Sequence, residues 1–490
     1  MDSDDPTDKA AVVRRFEDWC NEHNCVMEKV QVASTAFGLG LRATKDVEPN
    51  EVALAIPLDL VLTVPVAARS IAGQALLRSE TTREQPVSAQ ALMYVVMIHG
   101  WHDATSKWHP YLRQIPSKHQ DPLCWTQRER QARLKGTQLL HEVERHEALL
   151  RLVHQSIFPA LSQELPEMFP EERYSFASFT WARSALASRC FAETHLEKFL
   201  GGGEVVPEET MNYVRLTANE AARLSHDCNA VLCPLLDTGN HDPNVTIHVG
   251  LRSDKNGFQL ALARDSGVNK GQEYFINYGN HGSNLQLLLG HGFCLPDNPQ
   301  DTLPLKLGKT AGESPEQELA RKLSGLVEGE VVDLSRADLL PERLLALLRI
   351  STLQDRSLRV LLHENDSSEK TILSRLTTPI DVKFDRHAEL HALSIVQKHL
   401  IMKQHQIQSG NPQTELVEGR EGWARCHYAE IYRSGQLEIL QAALKEAKAR
   451  ERAIMEEHHV HLEDFEEGEE EEDDLEDEVI DPEAKRLRYA

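Results

Sequence analysis

The chain has 490 residues, with 53 Lys and Arg against 77 Asp and Glu, a formal net charge of −24 at pH 7. That length is about three times a usual single domain, so two or three domains with a full core are expected and a small disulfide-stapled scaffold is excluded. The negative balance argues against a general nucleic-acid or anionic-membrane binder, although residues 463–490 hold 15 of the acidic side chains against 3 basic ones, so half of the imbalance sits at one end.

The first ten residues, MDSDDPTDKA, are acidic and polar, unlike a secretory or mitochondrial leader, and no 18-residue apolar run is present. No membrane association and a cytoplasmic or nuclear location are expected. Eight cysteines occur without a CxxC pair. Cys20 with Cys25, and Cys228 with Cys233, each lack a second pair to complete four zinc ligands, so reduced thiols and no metal are expected.

In chain order, AVVRRFEDWC puts Val12, Val13, Phe16 and Trp19 or Cys20 on one face of a short helix. From about Val30 to Val64 short β-branched runs broken at Gly38, Gly40 and Glu48-Pro49-Asn50 predict strands and tight turns. Between about Ser88 and Leu200 the period is helical. Strand character returns in VLCPLLD, VTIHVGL, FQLALARDSG and EYFINYG, and from about Glu316 to Ile454 the pattern is helical again. Strands and helices do not alternate, so a doubly wound parallel sheet is not expected. The stretch EEGEEEEDDLEDE cannot repay its own ordering entropy and reads as a disordered, solubilising tail.

Three segments carry chemistry. Gly38-Leu39-Gly40-Leu41-Arg42-Ala43 matches a loose dinucleotide-binding pattern, but Pro49 and turn residues follow where a helix should run, so a glycine-rich strand turn fits better. In PLLDTGNHDPNV, Asp237, Asn240 and His241 fall just after an apolar strand, where loop sites gather; a metal set of Asp237, His241 and Asp242 lacks a second histidine. Tyr274 and Tyr278 are four apart on a predicted strand and so share a face.

Taken together, STAFGLGLRATKDVEPNEV, WHPYLRQIP with WTQRERQARLKGT, WARSALASRCF, LLDTGNHDPN and GQEYFINYGNHGSNLQLLLGHGF resemble, in order and spacing, SET-domain protein methyltransferases of the Rubisco large-subunit methyltransferase class. The segment ending IYRSGQLEILQAAL is similar to that class's C-terminal substrate-binding domain. The resemblance implies an α+β fold: a SET domain of short strands over 12–305, split by a helical insert at about 85–225, then an all-α domain over 316–455 and a tail over 456–490. It also implies that S-adenosyl-L-methionine gives a methyl group to a protein lysine, without a metal.

Further implications are carried residue by residue. Phe37 and Leu39 resemble backbone contacts to the donor, Asn240 and His241 the adenine contacts, Arg189 the partner of the donor carboxylate, and Phe293 a ring lining its pocket. Tyr278 resembles the catalytic tyrosine, and the carbonyls of Ser188, Arg189 and Asp237 the acceptors for the target nitrogen. The class's actin-histidine branch has polar amides where this chain has Cys190 and Phe191, and the apolar Phe191 favours lysine over histidine as target. Two departures stand out: Phe37 replaces a frequent Glu, and His291 replaces the usual Tyr before Gly-Phe. A protein substrate, histone or other, and a monomeric enzyme without a specific nucleic acid are expected. A histidine methyltransferase and a catalytically weak SET-fold binding module remain alternatives.

Overall fold

The computed structural model describes residues 6–192, 230–254, 257–279, 282–306, 312–327, 329–362, 376, 386–410 and 419–457. Residues 193–229, which include the end of the expected helical insert, and the expected tail after Glu457 lie outside the described residues. Two compact units are formed: Met1–Asp301 with Ser409–Arg433, and Thr302–Gln408 with Ser434–Ala490.

In the first unit, α1 (Pro6–Glu22) buries Phe16 and Trp19, their rings stacked at 5.7 Å. β1 (Val30–Thr35) and β2 (Gly38–Ala43) form an antiparallel hairpin closed at Thr35 and Gly38. Gly38 has φ +112°, a conformation open to glycine, which explains the turn at this point. β3 (Val52–Pro57) is followed by short helices α2 (Val64–Arg69), α3 (Ile71–Arg78) and α4 (Glu80–Glu84).

α5 (Ala89–His102), capped by Ser88, is apolar nearly all round and is accordingly buried on most faces. α6 (His109–Gln114), α7 (Gln127–Leu134) and α8 (Gln138–Glu164) lead to α9 (Phe176–Arg189), whose N-terminus is capped by Ser175. The chain leaves α9 directly into β4 (Cys190–Ala192), which pairs with β5 (Ala230–Leu232). β6 (Ile247–Asp254) and β7 (Gly257–Arg264) join β3 in an antiparallel sheet of order β3-β7-β6. α10 (Asn284–His291) starts with a capping box of Ser283 and Gln286 and ends at Gly292, φ +80°.

Two strand expectations are corrected. VLCPLLD is strand only to Leu232, because Pro234 has no amide for a ladder and Leu235, at φ +73°, turns the chain into a single 3-10 turn at Leu236–Thr238. Glu273 to Gly279 is not a strand and makes only bridges, at Glu273 with Arg42 and at Ile276 with His241. Its amides are split between two partners, Tyr274 N–H donating to the Leu41 carbonyl and Ile276 N–H to the Asn240 carbonyl, so no single ladder can grow.

The second unit holds α11 (Pro315–Leu323), α12 (Glu342–Thr352), α13 (Asp355–Leu362), α14 (Arg386–Ser409, to Gln408) and residues 434–457 of α15 (Gly419–Glu457). Leu344, Leu348, Leu393, Val396, Leu440 and Ala443 share its main core. It also contains a two-stranded sheet, β8 (Thr302–Lys306) with β9 (Val331–Ser335), within a stretch whose pattern is otherwise helical. VVDLS alternates apolar and polar residues, so Val332 and Leu334 are buried from one face. The guanidinium of Arg349 grips both oxygens of Glu389 at 2.7 and 2.8 Å. Among the described residues no helix is long and apolar enough to cross a membrane.

Candidate active site

The first unit gathers a stack of rings from three separate segments. Tyr278 lies between His241, at 5.0 Å, and His291, at 4.8 Å, each inclined by 26° to its ring. Phe293 meets Tyr278 edge-on at 6.4 Å and stands 6.0 Å from both histidines. The Tyr278 hydroxyl donates to the Gly239 carbonyl at 3.0 Å, and its amide donates to His241 Nδ1 at 3.1 Å. Nδ1 of His241 is therefore an acceptor, and a neutral ring carries its proton on Nε2. Burial pushes the Tyr278 phenol up to about 12 and His291 down to about 4, and it lowers His241 as well, so all three rings are neutral near pH 7.

Beside the stack runs the β1-β2 hairpin. A Cβ on Gly40 would lie 2.5 Å from Asn240 Nδ2, 2.8 Å from Thr35 Cγ2 and 3.0 Å from Glu273 Oε1, so only glycine lets these segments meet. The Asn240 amide donates to Thr35 Oγ1 at 3.1 Å and to Glu273 Oε1 at 2.7 Å, tying the loop after Asp237 to the hairpin. The bridge to Ile276 uses the Asn240 carbonyl and the Asp242 amide, which leaves the backbone N–H and carbonyl of His241 outside the ladder. At the hairpin tip, Phe37 is 68% exposed and its amide is spent on Thr35 Oγ1 at 3.1 Å. Leu39, on β2, is half-buried against the main core.

The third part is a buried ionic pair. Arg189, the last residue of α9, donates through Nη1 to the Asp237 carbonyl at 3.3 Å and lies 3.5 Å from Asp237 Oδ2. The hydroxyl of Tyr111, fully buried, donates to that same Oδ2 at 2.5 Å, while Oδ1 has no hydrogen-bond partner among the described residues. Burial opposes the charge on Arg189, but Asp237, Tyr111 and Tyr278 outweigh it and raise its pKa. For Asp237 burial dominates, and its carboxyl is raised in spite of Arg189. The residue two before it, Leu235, holds a positive φ without being glycine, and such strain persists only where the surroundings enforce it.

Ser188 lies one residue before Arg189 at the end of α9, its hydroxyl donating to the Ala185 carbonyl at 3.2 Å. Phe191 sits in β4 opposite Val231, half-buried against the core. Of the residues singled out in the sequence, His241, Tyr278 and Phe293 meet ring to ring, Asn240 joins the hairpin that carries Phe37 and Leu39, and Arg189 joins Asp237. The alternative metal set is not assembled: Asp237 is turned to Arg189 and Tyr111, whereas His241 gives its Nδ1 to an amide. Among the described residues no group of three or more His, Cys, Asp or Glu could hold a metal ion.

The sequence reading missed Tyr111, Glu273, Thr35 and His119. Tyr111 was inside a recognised string, yet its partner is 126 positions away. His119 is a buried imidazole whose Nε2 has no hydrogen-bond partner among the described residues; burial, then the charges of Arg189 and Arg183, lower it to about 3. No local pattern signals it.

No protein-family model matches the chain. It is 23% identical over 421 residues to the ribosomal lysine N-methyltransferase set10 of Schizosaccharomyces pombe, covering 83% of this chain and 65% of that protein. It is 24% identical over 437 residues to the actin-histidine N-methyltransferase of Homo sapiens, covering 88% of this chain and 67% of that protein. The chain thus spans about two thirds of the length of these curated relatives. Among solved structures it is similar to the SET domain of LSMT bound to lysine and AdoHcy, with a TM-score of 0.67 and 20% identity over 91% of this chain and 92% of that one. It is likewise similar to Rubisco LSMT bound to AdoMet, with a TM-score of 0.65 and 21% identity over 90% and 93%. The fold is therefore the α+β SET-domain fold of the Rubisco large-subunit methyltransferase class, as the sequence resemblance implied.

Proposed function

We propose that this chain is an S-adenosylmethionine-dependent protein methyltransferase that acts on a side-chain nitrogen, with lysine as the favoured target. The coarse reading, protein methyl transfer on a SET fold, has the support of the relatives and of the fold. The observation that carries it is Tyr278: a neutral phenol clamped between two rings, its one proton committed to a backbone carbonyl. Its oxygen lone pairs are left to face whatever enters beside it.

When bound, S-adenosylmethionine supplies a methyl group on a positively charged sulfur. The residues present fit such a ligand. Arg189 keeps N–H groups beyond those facing Asp237, among the described residues its only polar partner, and a guanidinium fork suits a carboxylate. The backbone N–H and carbonyl of His241 are open to an adenine edge; the Asn240 side chain acts by bracing the hairpin. Phe37, whose amide is occupied, and Leu39 are assigned backbone contacts. The face of Phe293 offers a cation about 0.5 to 2 kcal/mol of attraction.

A lysine ammonium has no lone pair and titrates near 10.4, so the site must favour the neutral amine. A buried, uncharged ring stack does so by desolvation. Tyr278 is assigned to orient that amine by accepting its N–H, since a phenol whose own proton is this hard to remove is no general base at pH 7. Ser188, Arg189 and Asp237 contribute carbonyls around the target, with Phe191 supplying an apolar wall. A second reading, histidine as target, draws on the similarity to actin-histidine N-methyltransferases. Incubation of the full chain with methyl-labelled donor and cell-lysate protein, followed by peptide mass spectrometry, tests both. Label on lysine supports the proposal, label on histidine replaces it with the second reading, and no label on any protein overturns both.

A further inference from the structure

Tyr111 reaches the site from α6, a helix that supplies none of its assigned contacts. The side chain is fully buried, with the Phe16 ring of α1 at 6.3 Å from its own. Its hydroxyl donates to Asp237 Oδ2 at 2.5 Å. That same oxygen lies 3.5 Å from Arg189 Nη1, the nitrogen that donates to the Asp237 carbonyl at 3.3 Å. Gln114, three residues further on and so on the same face of α6, donates through Nε2 to Thr238 Oγ1 at 3.3 Å. One helix face thus holds two successive residues of the turn at Leu236–Thr238, the first through a carboxylate and the second through a hydroxyl.

The two bonds differ in strength. The one from Tyr111 is short and its acceptor is paired with a guanidinium, whereas the one from Gln114 is longer and joins neutral groups. A carboxylate this buried keeps its charge through its partners: burial raises the Asp237 pKa, and Arg189 and the Tyr111 hydroxyl oppose that rise. Among the described residues Asp237 alone holds the Arg189 guanidinium by hydrogen bond or ion pair. Because that group is planar, fixing Nη1 against two oxygens of one residue also sets where its remaining N–H groups point. Without the Tyr111 hydroxyl the Asp237 carboxylate can turn about its Cβ–Cγ bond, and the guanidinium loses that direction.

Resting on the assignment of Arg189 to the carboxylate of the methyl donor, we propose that Tyr111 is a positioning residue of the donor site: its hydroxyl locks the Asp237 carboxylate, that carboxylate aims the Arg189 guanidinium, and the guanidinium grips the amino-acid end of S-adenosylmethionine. Tyr111 touches neither donor nor target. Its effect is confined to the part of the donor that carries the carboxylate, and the adenosine end does not depend on it.

The test titrates the full chain, by calorimetry, with S-adenosylhomocysteine and with its decarboxylated analogue, which lacks only the carboxylate. In the wild type, removing the carboxylate from the ligand should weaken binding about 10-fold or more. In Tyr111→Phe the same removal should weaken binding by less than about 3-fold, while the decarboxylated compound itself binds within about 3-fold of its wild-type affinity. Asp237→Asn, which keeps the shape and removes the charge through which Tyr111 acts, should narrow the ratio likewise. Gln114→Met, which frees the other α6 contact to the same turn, should leave the ratio at its wild-type value. An unchanged ratio in Tyr111→Phe and Asp237→Asn overturns the proposal. So does a parallel loss of both ligands in these two variants, which would give Tyr111 a role in folding only, or a Gln114→Met ratio narrowed as far as that of Tyr111→Phe. Equal affinity of the wild type for the two ligands would show that Arg189 reads no carboxylate, and overturns it as well. Failure of the wild type to bind S-adenosylhomocysteine would instead refute the methyltransferase reading itself.

Discussion

Tyr278 works through its position. Its hydroxyl is fixed by Gly239, its amide by His241, and its ring by two imidazoles. Tyr278→Phe keeps the stack and removes the oxygen, so turnover should fall about 100-fold or more while S-adenosylhomocysteine affinity stays within about 3-fold, because misplacing a reacting group by about 1 Å already has that effect. Calorimetry and labelled transfer on the same preparation check it. Asp237→Ala removes the partner of a buried guanidinium and strands the Tyr111 hydroxyl, and should destabilise the first unit by about 3 to 5 kcal/mol in denaturant unfolding. The buried histidines give a pH signature. His291 is lowered from 6.5 to about 4, so between those values the unfolded chain binds a proton that the folded chain refuses. Stability therefore rises with pH across this window and is lost as pH falls through it, by up to about 1.4 kcal/mol per pH unit for one ring. His291→Phe should flatten the slope of unfolding free energy against pH by about one proton; an unchanged slope would show the ring is not held neutral.

At the scale of elements, the site is where three segments are pressed together: the β1-β2 hairpin, the loop after β5 and the irregular stretch ending at Gly279. Gly40 is the point of closest approach. Gly40→Ala should displace Asn240 or Glu273 and weaken S-adenosylhomocysteine binding at least 10-fold, with a melting temperature close to wild type if the hairpin alone shifts. Much of this was legible beforehand. Gly38 and Gly40 in a β-like context announced a turn rather than a phosphate loop, and the helical period of α5 and α9 was plain. The bracing of Asn240 by Glu273 was not, since it joins residues 33 apart whose types alone suggest nothing. The stretch around Tyr278 was misjudged as a strand because alternating apolar residues also fit a segment whose amides bond to two different neighbours. The β8-β9 pair escaped notice because five-residue strands are short beside the long helices around them.

For the whole molecule, the net charge of −24 proved a poor guide until it was divided. All proposed site residues lie within the first compact unit, and none lies in the acidic stretch over 463–490. Deleting that stretch should leave S-adenosylhomocysteine affinity unchanged; loss of affinity would show that it contributes to the site. The fold class could be read from ordered motifs because glycines, the Arg189 and Tyr278 strings and the helical blocks recur in sequence at recognisable spacing. The chemistry of the pocket depends on pairs such as Tyr111 with Asp237 and Tyr278 with Gly239, which only the folded chain brings together. The central claim is that Tyr278 sits at a methyl-transfer centre. The most direct measurement is single-turnover transfer of labelled methyl from donor-saturated full chain to lysate protein, run side by side with Tyr278→Phe. The account predicts protein-bound label from the wild type and about 100-fold slower labelling from the variant at equal donor occupancy. Equal rates, or donor bound by the wild type with no label reaching any protein, would contradict it.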